Sequence, residues 1–256
     1  MMPHQLNWQE ICQMIPKRKA DAQKGDFGRL LCITGSRNMP GACLLSTQAA
    51  LRGGAGLVTV ATAPENPMRL AAAAPEAMWL PLETDEAGFL RSSDQNRKTL
   101  EKQLSRANAV LLGCGLGVTE ETCRLVYWVL EQAVCPVVLD ADGLNCAVSC
   151  IELSRRTGKD WILTPHPGEM ARLTGRSIPQ IQENRVETAT QFAAAYPVTL
   201  ALKGAGTLVA QGSRLAQNPT GNPGMSRGGS GDVLAGLIAA FAAQGIPSWE
   251  AACAGV

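Results

Sequence analysis

The 256-residue chain has only two histidines, His4 and His166, and its nine cysteines include no C-x-x-C pair. A zinc site needs several His or Cys ligands at close spacing, so zinc is excluded as the organising feature. Net charge is nearly absent as well, with 23 Lys and Arg against 22 Asp and Glu. The resulting +1 provides no field for a nucleic-acid backbone or an anionic membrane surface. The one basic cluster, Lys17-Arg18-Lys19, is short and reads as solvated. No apolar stretch reaches the roughly 20 residues of a membrane span, and the N-terminus lacks the charged-then-apolar order of a signal peptide. Internal repeats and low-complexity tracts are missing too. The expected setting is cytoplasmic, with cysteines such as Cys32, Cys43 and Cys135 as reduced core thiols.

What is there is an apolar, alternating chain. Hydrophobic residues make up 46% and charged residues 18%, enough for one large α/β domain. Short β-rich runs recur at Leu30–Thr34, Leu57–Ala61, Ala77–Leu82, Ala109–Leu112, Val137–Leu139, Trp161–Leu163, Val198–Leu202 and Thr207–Ala210. Helical patterns lie between most of them, at Ala42–Leu51, Gln95–Ser105, Glu120–Gln132, Glu169–Thr174 and Ile178–Ala195. Strands apolar on both faces, alternating with helices, predict a mostly parallel sheet inside a three-layer α/β/α domain. The last two strands are separated by little more than Gly204-Ala205-Gly206, which predicts a hairpin there. The tryptophans (Trp8, Trp79, Trp128, Trp161, Trp249) are scattered and read as core or interface residues.

Six segments fall where such a sheet places its ligand edge. They are Thr34–Ala42, Gly113–Gly117, Asp140–Asn145, Thr164–Glu169, Lys203–Thr207 and Gly228–Asp232. The second lacks the G-x-G-x-x-G spacing of a dinucleotide site. In the last, Gly228-Gly229-Ser230-Gly231-Asp232 leads into the apolar run Val233–Ala243. A glycine turn at a helix N-terminus presents converging amides with a positive dipole behind them, a site for phosphate or for charge developing on it. Asp232 then stands where it can take a proton from a substrate hydroxyl; the alternative is a helix cap on a tight turn.

The ordered set GSRNMPGA, GCGLG, DADGLN, TPHPGE, LKGAGT and NPGMSRGGSGDVLAG resembles the ADP-dependent (S)-NAD(P)H-hydrate dehydratase family, a branch of the ribokinase-like superfamily. The likeness runs from about Lys24 to Gly245. It implies nicotinamide nucleotide repair, in which water leaves the S epimer of hydrated NADH or NADPH while ADP becomes AMP and phosphate. It implies Asp232 as the base, Gly229, Ser230 and Gly231 as the anion hole, and Mg²⁺ beside the ADP co-substrate. Residue by residue, it sets Lys203, Gly204, Ala205, Gly206, Thr207 and Gly231 around the nucleotide, and Ala42, Gly115, His166 and Asp232 around the hydrate. It also implies a homo-oligomer, often a tetramer, and a functional link to an NAD(P)H-hydrate epimerase. The residues before Lys24 are too few for the epimerase domain that many members carry. The helical pattern Ala251–Val256, with Ser248 as its cap and Pro247 outside, runs to the last residue where members continue, so a truncated C-terminus is expected.

Several residues keep two readings at this level. Glu169 either helps to hold Mg²⁺ through water or is a first-turn glutamate favoured by the helix dipole. Asp140 and Asp142 either support the metal or shape the pocket, with Asp142 alternatively a helix cap. His166, between two prolines, either meets the substrate or bonds its own loop. Lys203 either neutralises phosphate or snorkels at a strand end. Two other functions share the same residues. One is a ribokinase-like kinase that passes phosphate from ATP to a stable alcohol; the other is a non-catalytic nucleotide-binding protein. A product assay separates them.

Overall fold

The computed structural model of the chain describes residues 2–256. Among these, ten strands form one sheet: β1 (His4–Gln5), β2 (Arg29–Ile33), β3 (Leu57–Thr62), β4 (Met78–Pro81), β5 (Ala109–Leu112), β6 (Val137–Leu139), β7 (Trp161–Leu163), β8 (Val198–Leu202), β9 (Leu208–Gln211) and β10 (Arg214–Gln217). Their order across the sheet is β1-β10-β9-β8-β7-β6-β5-β2-β3-β4. Only the β8–β9 and β9–β10 pairings are antiparallel.

The strands pair this way because both of their faces are apolar. Leu30 and Cys32 of β2 point into one helix layer, Leu31 and Ile33 into the other; β5 splits Ala109 and Leu111 from Val110 and Leu112 in the same manner. One layer holds α1 (Trp8–Met14), α2 (Pro40–Arg52), α3 (Asn66–Leu70), α11 (Ser230–Ala243) and α12 (Ser248–Gly255). The opposite layer holds α4 (Asp94–Leu104), α5 (Glu120–Gln132), α6 (Asp142–Ala147), α7 (Leu153–Thr157), α8 (Pro167–Thr174), α9 (Ile178–Glu183) and α10 (Arg185–Ala195). The predicted three-layer α/β/α architecture with a mostly parallel sheet is therefore the one observed.

Chain order makes the sheet functional. From β2 the chain runs outward to β3 and β4, then returns to place β5 on the other side of β2. The loops leaving the carboxyl ends of β2 and β5 diverge at this reversal, which is where open α/β sheets bind ligands. They are tied to each other: the Gly35 amide donates to Cys114 O at 2.9 Å and the Ser36 amide to Gly115 O at 2.7 Å. Helix α11 is fixed over the same end by close packing on α2. A Cβ on Gly236 would fall 2.2 Å from Ser46 O, so glycine is what allows the two helices to approach.

Four local expectations are corrected. Strands β1 and β10 were not anticipated; β10 follows a two-residue Gly212-Ser213 turn that extends the predicted hairpin into a meander. The pattern Ile178–Ala195 is two helices, because Asn184 (φ −127°, ψ 43°) leaves the helical region. Asp142 does not cap α6: Ala141 occupies the flanking position and the Asp142 carboxylate instead accepts from the Gly117 amide at 2.7 Å. Ser248 is the first residue of α12, with Pro247 flanking, and its hydroxyl donates to Asp160 Oδ2 at 2.5 Å.

Candidate active site

Gly229 flanks the start of helix α11, with a φ of 94° that is comfortable only without a Cβ. No side chain caps this end; the Ser230 amide reaches Arg227 O at 3.5 Å, and the Gly231 and Asp232 amides have no acceptor among the described residues, with the helix dipole behind them. Asp232 is the third residue of the helix rather than its cap. Its carboxylate, Cys114 Sγ and a carboxylate oxygen of Asp140 all lie within 4.8 Å of one another. Burial, then the nearby Asp140 charge, raises the Asp232 pKa, while the Cys114 thiol opposes the rise. Cys114 is wholly buried and held well above the usual thiol range, first by burial and then by the two aspartates, so it remains a neutral S–H donor.

Asp140 directly follows β6 and is itself buried. Thr164 Oγ1 donates to its Oδ1 at 2.8 Å, and Lys203 Nζ reaches the same oxygen at 2.5 Å. Lys203 Nζ also lies 3.8 Å from Glu169 Oε2. Burial acts to lower the Lys203 pKa, but the Asp140 and Glu169 carboxylates outweigh it and the net direction is upward. The lysine is thus a largely buried cation held over two acids. Gly231 stands against it: a Cβ there would come 3.2 Å from Lys203 Nζ and 3.7 Å from Asp140 Oδ2. The turn after β6 carries strain. Ala141 has φ 49° and ψ −119°, and the Gly143 amide closes the turn onto Asp140 O at 3.0 Å.

His166 caps α8. Its Nδ1 accepts from the Gly168 amide at 2.9 Å and the Glu169 amide at 3.3 Å, and the Glu169 carboxylate accepts from the His166 amide at 2.8 Å. An Nδ1 that accepts carries no proton, so the ring is neutral with its N–H on Nε2, 3.3 Å from Glu169 Oε1. Burial first, then the positive charges of Lys203 and Arg172, keeps the His166 pKa down. Glu169 is pushed up to about 7 by burial, with Lys203 opposing and Asp140 reinforcing.

The fold therefore gathers most of the sequence-derived residues. Ala42 and Gly115 adjoin, since a Cβ on Gly115 would sit 2.9 Å from the Ala42 Cβ. Asp232, Gly231, Lys203, Glu169 and His166 form one chain of contacts centred on Asp140. The loop Lys203–Thr207 bridges β8 to β9, with Gly204 and Ala205 exposed and Thr207 Oγ1 donating to Gly204 O at 3.0 Å. Three residues went unassigned at the sequence level: Cys114, which stood inside GCGLG; Thr164, the first residue of TPHPGE; and Arg185, which had no local signal. Arg185 donates from Nη1 to Lys203 O and from Nη2 to Leu202 O, both at 3.1 Å.

A mostly parallel sheet, an antiparallel edge and a glycine-capped apolar helix carrying an aspartate beside the strand-order reversal define the ribokinase-like class of α/β proteins. Within that class, the NAD(P)H-hydrate dehydratase profile matches residues 30–256, and the chain belongs to that family. It is 40% identical over 252 residues to the bifunctional NAD(P)H-hydrate repair enzyme Nnr of Coxiella burnetii, covering 98% of this chain and 48% of that protein. It is 38% identical to the ADP-dependent (S)-NAD(P)H-hydrate dehydratase of Neisseria meningitidis, covering 93% of this chain and 77% of the other. The crystal structure of the ADP/ATP-dependent NAD(P)H-hydrate dehydratase of Bacillus subtilis, co-crystallised with ATP/Mg²⁺, superposes with a TM-score of 0.81 at 30% identity, over 100% of this chain and 86% of that one. The chain spans about half the length of the bifunctional relatives that it matches. No helix among the described residues is long and apolar enough to cross a membrane.

Proposed function

We propose that this chain removes water from the S epimer of hydrated NADH or NADPH while converting ADP to AMP and phosphate. The observation that carries the reading is the position of Asp232: partly buried, with a raised pKa, behind an uncapped glycine N-terminus and beside the Lys203 loop. Hydroxide is a poor leaving group, and phosphate is a good one. The hydrate hydroxyl attacks the terminal phosphorus of ADP, the bond to AMP breaks, and Asp232 takes the hydroxyl proton. The amides of Gly229, Ser230 and Gly231 face the migrating phosphoryl group, where their dipoles act without having to reorganise. The nitrogen lone pair of the partly saturated ring then expels phosphate, and loss of a proton to solvent from the neighbouring carbon restores the second ring double bond.

Lys203, Gly204, Ala205, Gly206 and Thr207, with Gly231, hold the nucleotide in this reading; Ala42, Gly115, His166 and Asp232 line the hydrate site. The residues fit a magnesium ion: Asp140 offers a hard oxygen at the centre of the cluster, and Asp140, Asp232 and Glu169 outnumber the one ammonium among them. Bound Mg²⁺ would neutralise the diphosphate. Glu169, committed to the start of α8, would contribute only through water. The reading extends to a cytoplasmic homo-oligomer, a tetramer, working beside an NAD(P)H-hydrate epimerase; the bifunctional name of the Coxiella relative supports that pairing.

The test is to incubate the purified chain with hydrated NADH, ADP and Mg²⁺. Recovery of the reduced-nicotinamide absorbance with one AMP and one phosphate per NADH supports the reading. Accumulation of a stable phosphorylated alcohol would instead make the chain a kinase.

A further inference from the structure

Arg185 is an arginine in an expensive place. It is the first residue of α10, where the helix dipole opposes a cation, and it is half-buried, which lowers its pKa. No carboxylate pairs with it among the described residues. Its donors go to main-chain carbonyls instead. Nη1 donates to Lys203 O at 3.1 Å and Gln182 Oε1 at 3.2 Å; Nη2 donates to Leu202 O at 3.1 Å and Gly206 O at 3.5 Å. The guanidinium fills the space that a Cβ on Gly204 would enter, 2.7 Å from Nη1.

A trans peptide points its N–H opposite to its C=O. Carbonyls held on the Arg185 side therefore turn the amides that follow them to the other side. Lys203 illustrates this: Leu202 O faces Arg185 and the Lys203 amide donates away, to Pro165 O at 2.9 Å. The next two cases differ. Lys203 O and Gly206 O are bound by Arg185, yet the amides of Gly204 and Thr207 have no acceptor among the described residues. Charged donors on a carbonyl also polarise the peptide and strengthen its N–H as a donor.

We infer that Arg185 is a positioning residue for the nucleotide: it locks the Lys203–Thr207 loop so that the Gly204 and Thr207 amides are preset, and polarised, to donate to an anionic phosphate. The inference rests on the nucleotide reading of that loop given above. Arg185 touches the backbone from the side away from the ligand, so its effect falls on ADP and not on the reacting hydroxyl.

The experiment measures ADP binding and steady-state kinetics for the wild type, Arg185→Lys and Arg185→Ala, together with amide ¹H–¹⁵N spectra of the wild type and the lysine variant. In Arg185→Ala, the Kd and KM for ADP are expected to rise about ten- to hundredfold. The KM for the hydrate and kcat at saturating ADP should change less than threefold. Added guanidinium ion should recover part of the ADP affinity. Arg185→Lys keeps the charge but cannot span three carbonyls, so it should fall between, with the Gly204 and Thr207 amide protons shifted upfield. A loss of kcat that matches the loss of ADP affinity, or unchanged ADP affinity in a folded Arg185→Lys, overturns the inference. ADP binding by the wild type that leaves the Gly204 and Thr207 resonances unmoved overturns the nucleotide reading itself.

Discussion

Lys203 Nζ sits 2.5 Å from Asp140 Oδ1, joining the ends of β8 and β6 across 63 residues of sequence, with Asp140 buried and Lys203 largely so. Each residue is the other's solvent. Strand β7 lies between their strands, so the pair spans the sheet end just where Gly231 approaches. Removing either partner leaves an uncompensated buried charge, a cost of about 3–5 kcal/mol. We expect Lys203→Met and Asp140→Asn to destabilise individually by amounts in that direction, and the double variant to lose clearly less than their sum. Denaturant unfolding of the four proteins checks this. Additive losses would mean that the contact does not couple the two strands.

Glu169 makes stability depend on pH. Burial holds its pKa near 7 in the folded chain, above the ordinary carboxylate value of 4.5. The folded state therefore binds this proton more tightly than the unfolded chain. The contribution is fully present below about 4.5 and is lost as pH rises through 7. At about 1.4 kcal/mol per pKa unit, the swing is on the order of 3 kcal/mol, with Lys203 and Asp140 sharing in it. Melting curves between pH 4.5 and 8 should decline more steeply for the wild type than for Glu169→Gln. Parallel curves would place the titration elsewhere.

Ala141 is the single non-glycine residue with positive φ among the described residues, and it sits between the two aspartates of the β6 turn. Replacing it with glycine removes the Cβ clash and is expected to stabilise the fold by about 1 kcal/mol. A raised melting temperature with a lower kcat would show that the strain helps to hold Asp140 in place. A lowered melting temperature would contradict the strain assignment.

Much of this was legible in the sequence because its signals are short in range. Uninterrupted apolar runs such as Ala109–Leu112 announce strands buried on both faces, and six glycine-, proline- or aspartate-bearing loops after strands announce the ligand edge. What escaped depended on long-range pairing. The two-residue β1 is a strand only because β10 lies beside it, and RLAQ of β10 is apolar in just two positions. The break at Asn184 interrupts a pattern that stays apolar on one face through Ile181, Ala189 and Phe192. Arg185 acts on carbonyls 17 to 21 residues away, so nothing near it in the chain marks its role. Asp140 looked like one of two equivalent aspartates; the fold makes it the centre of the cluster and assigns Asp142 to the Gly117 amide.

The central claim is that Asp232 takes the proton from the hydrate hydroxyl while the turn before it holds the phosphoryl group. The most direct measurement compares the wild type with Asp232→Asn, an exchange that keeps the side chain's shape but removes the base. Both proteins are given hydrated NADH with ADP and Mg²⁺, and NADH recovery is followed alongside ADP binding. The account predicts that turnover falls by about 10²- to 10⁴-fold or more while the Kd for ADP stays within a fewfold of the wild type. NADH recovery by Asp232→Asn at a rate close to the wild type would contradict it.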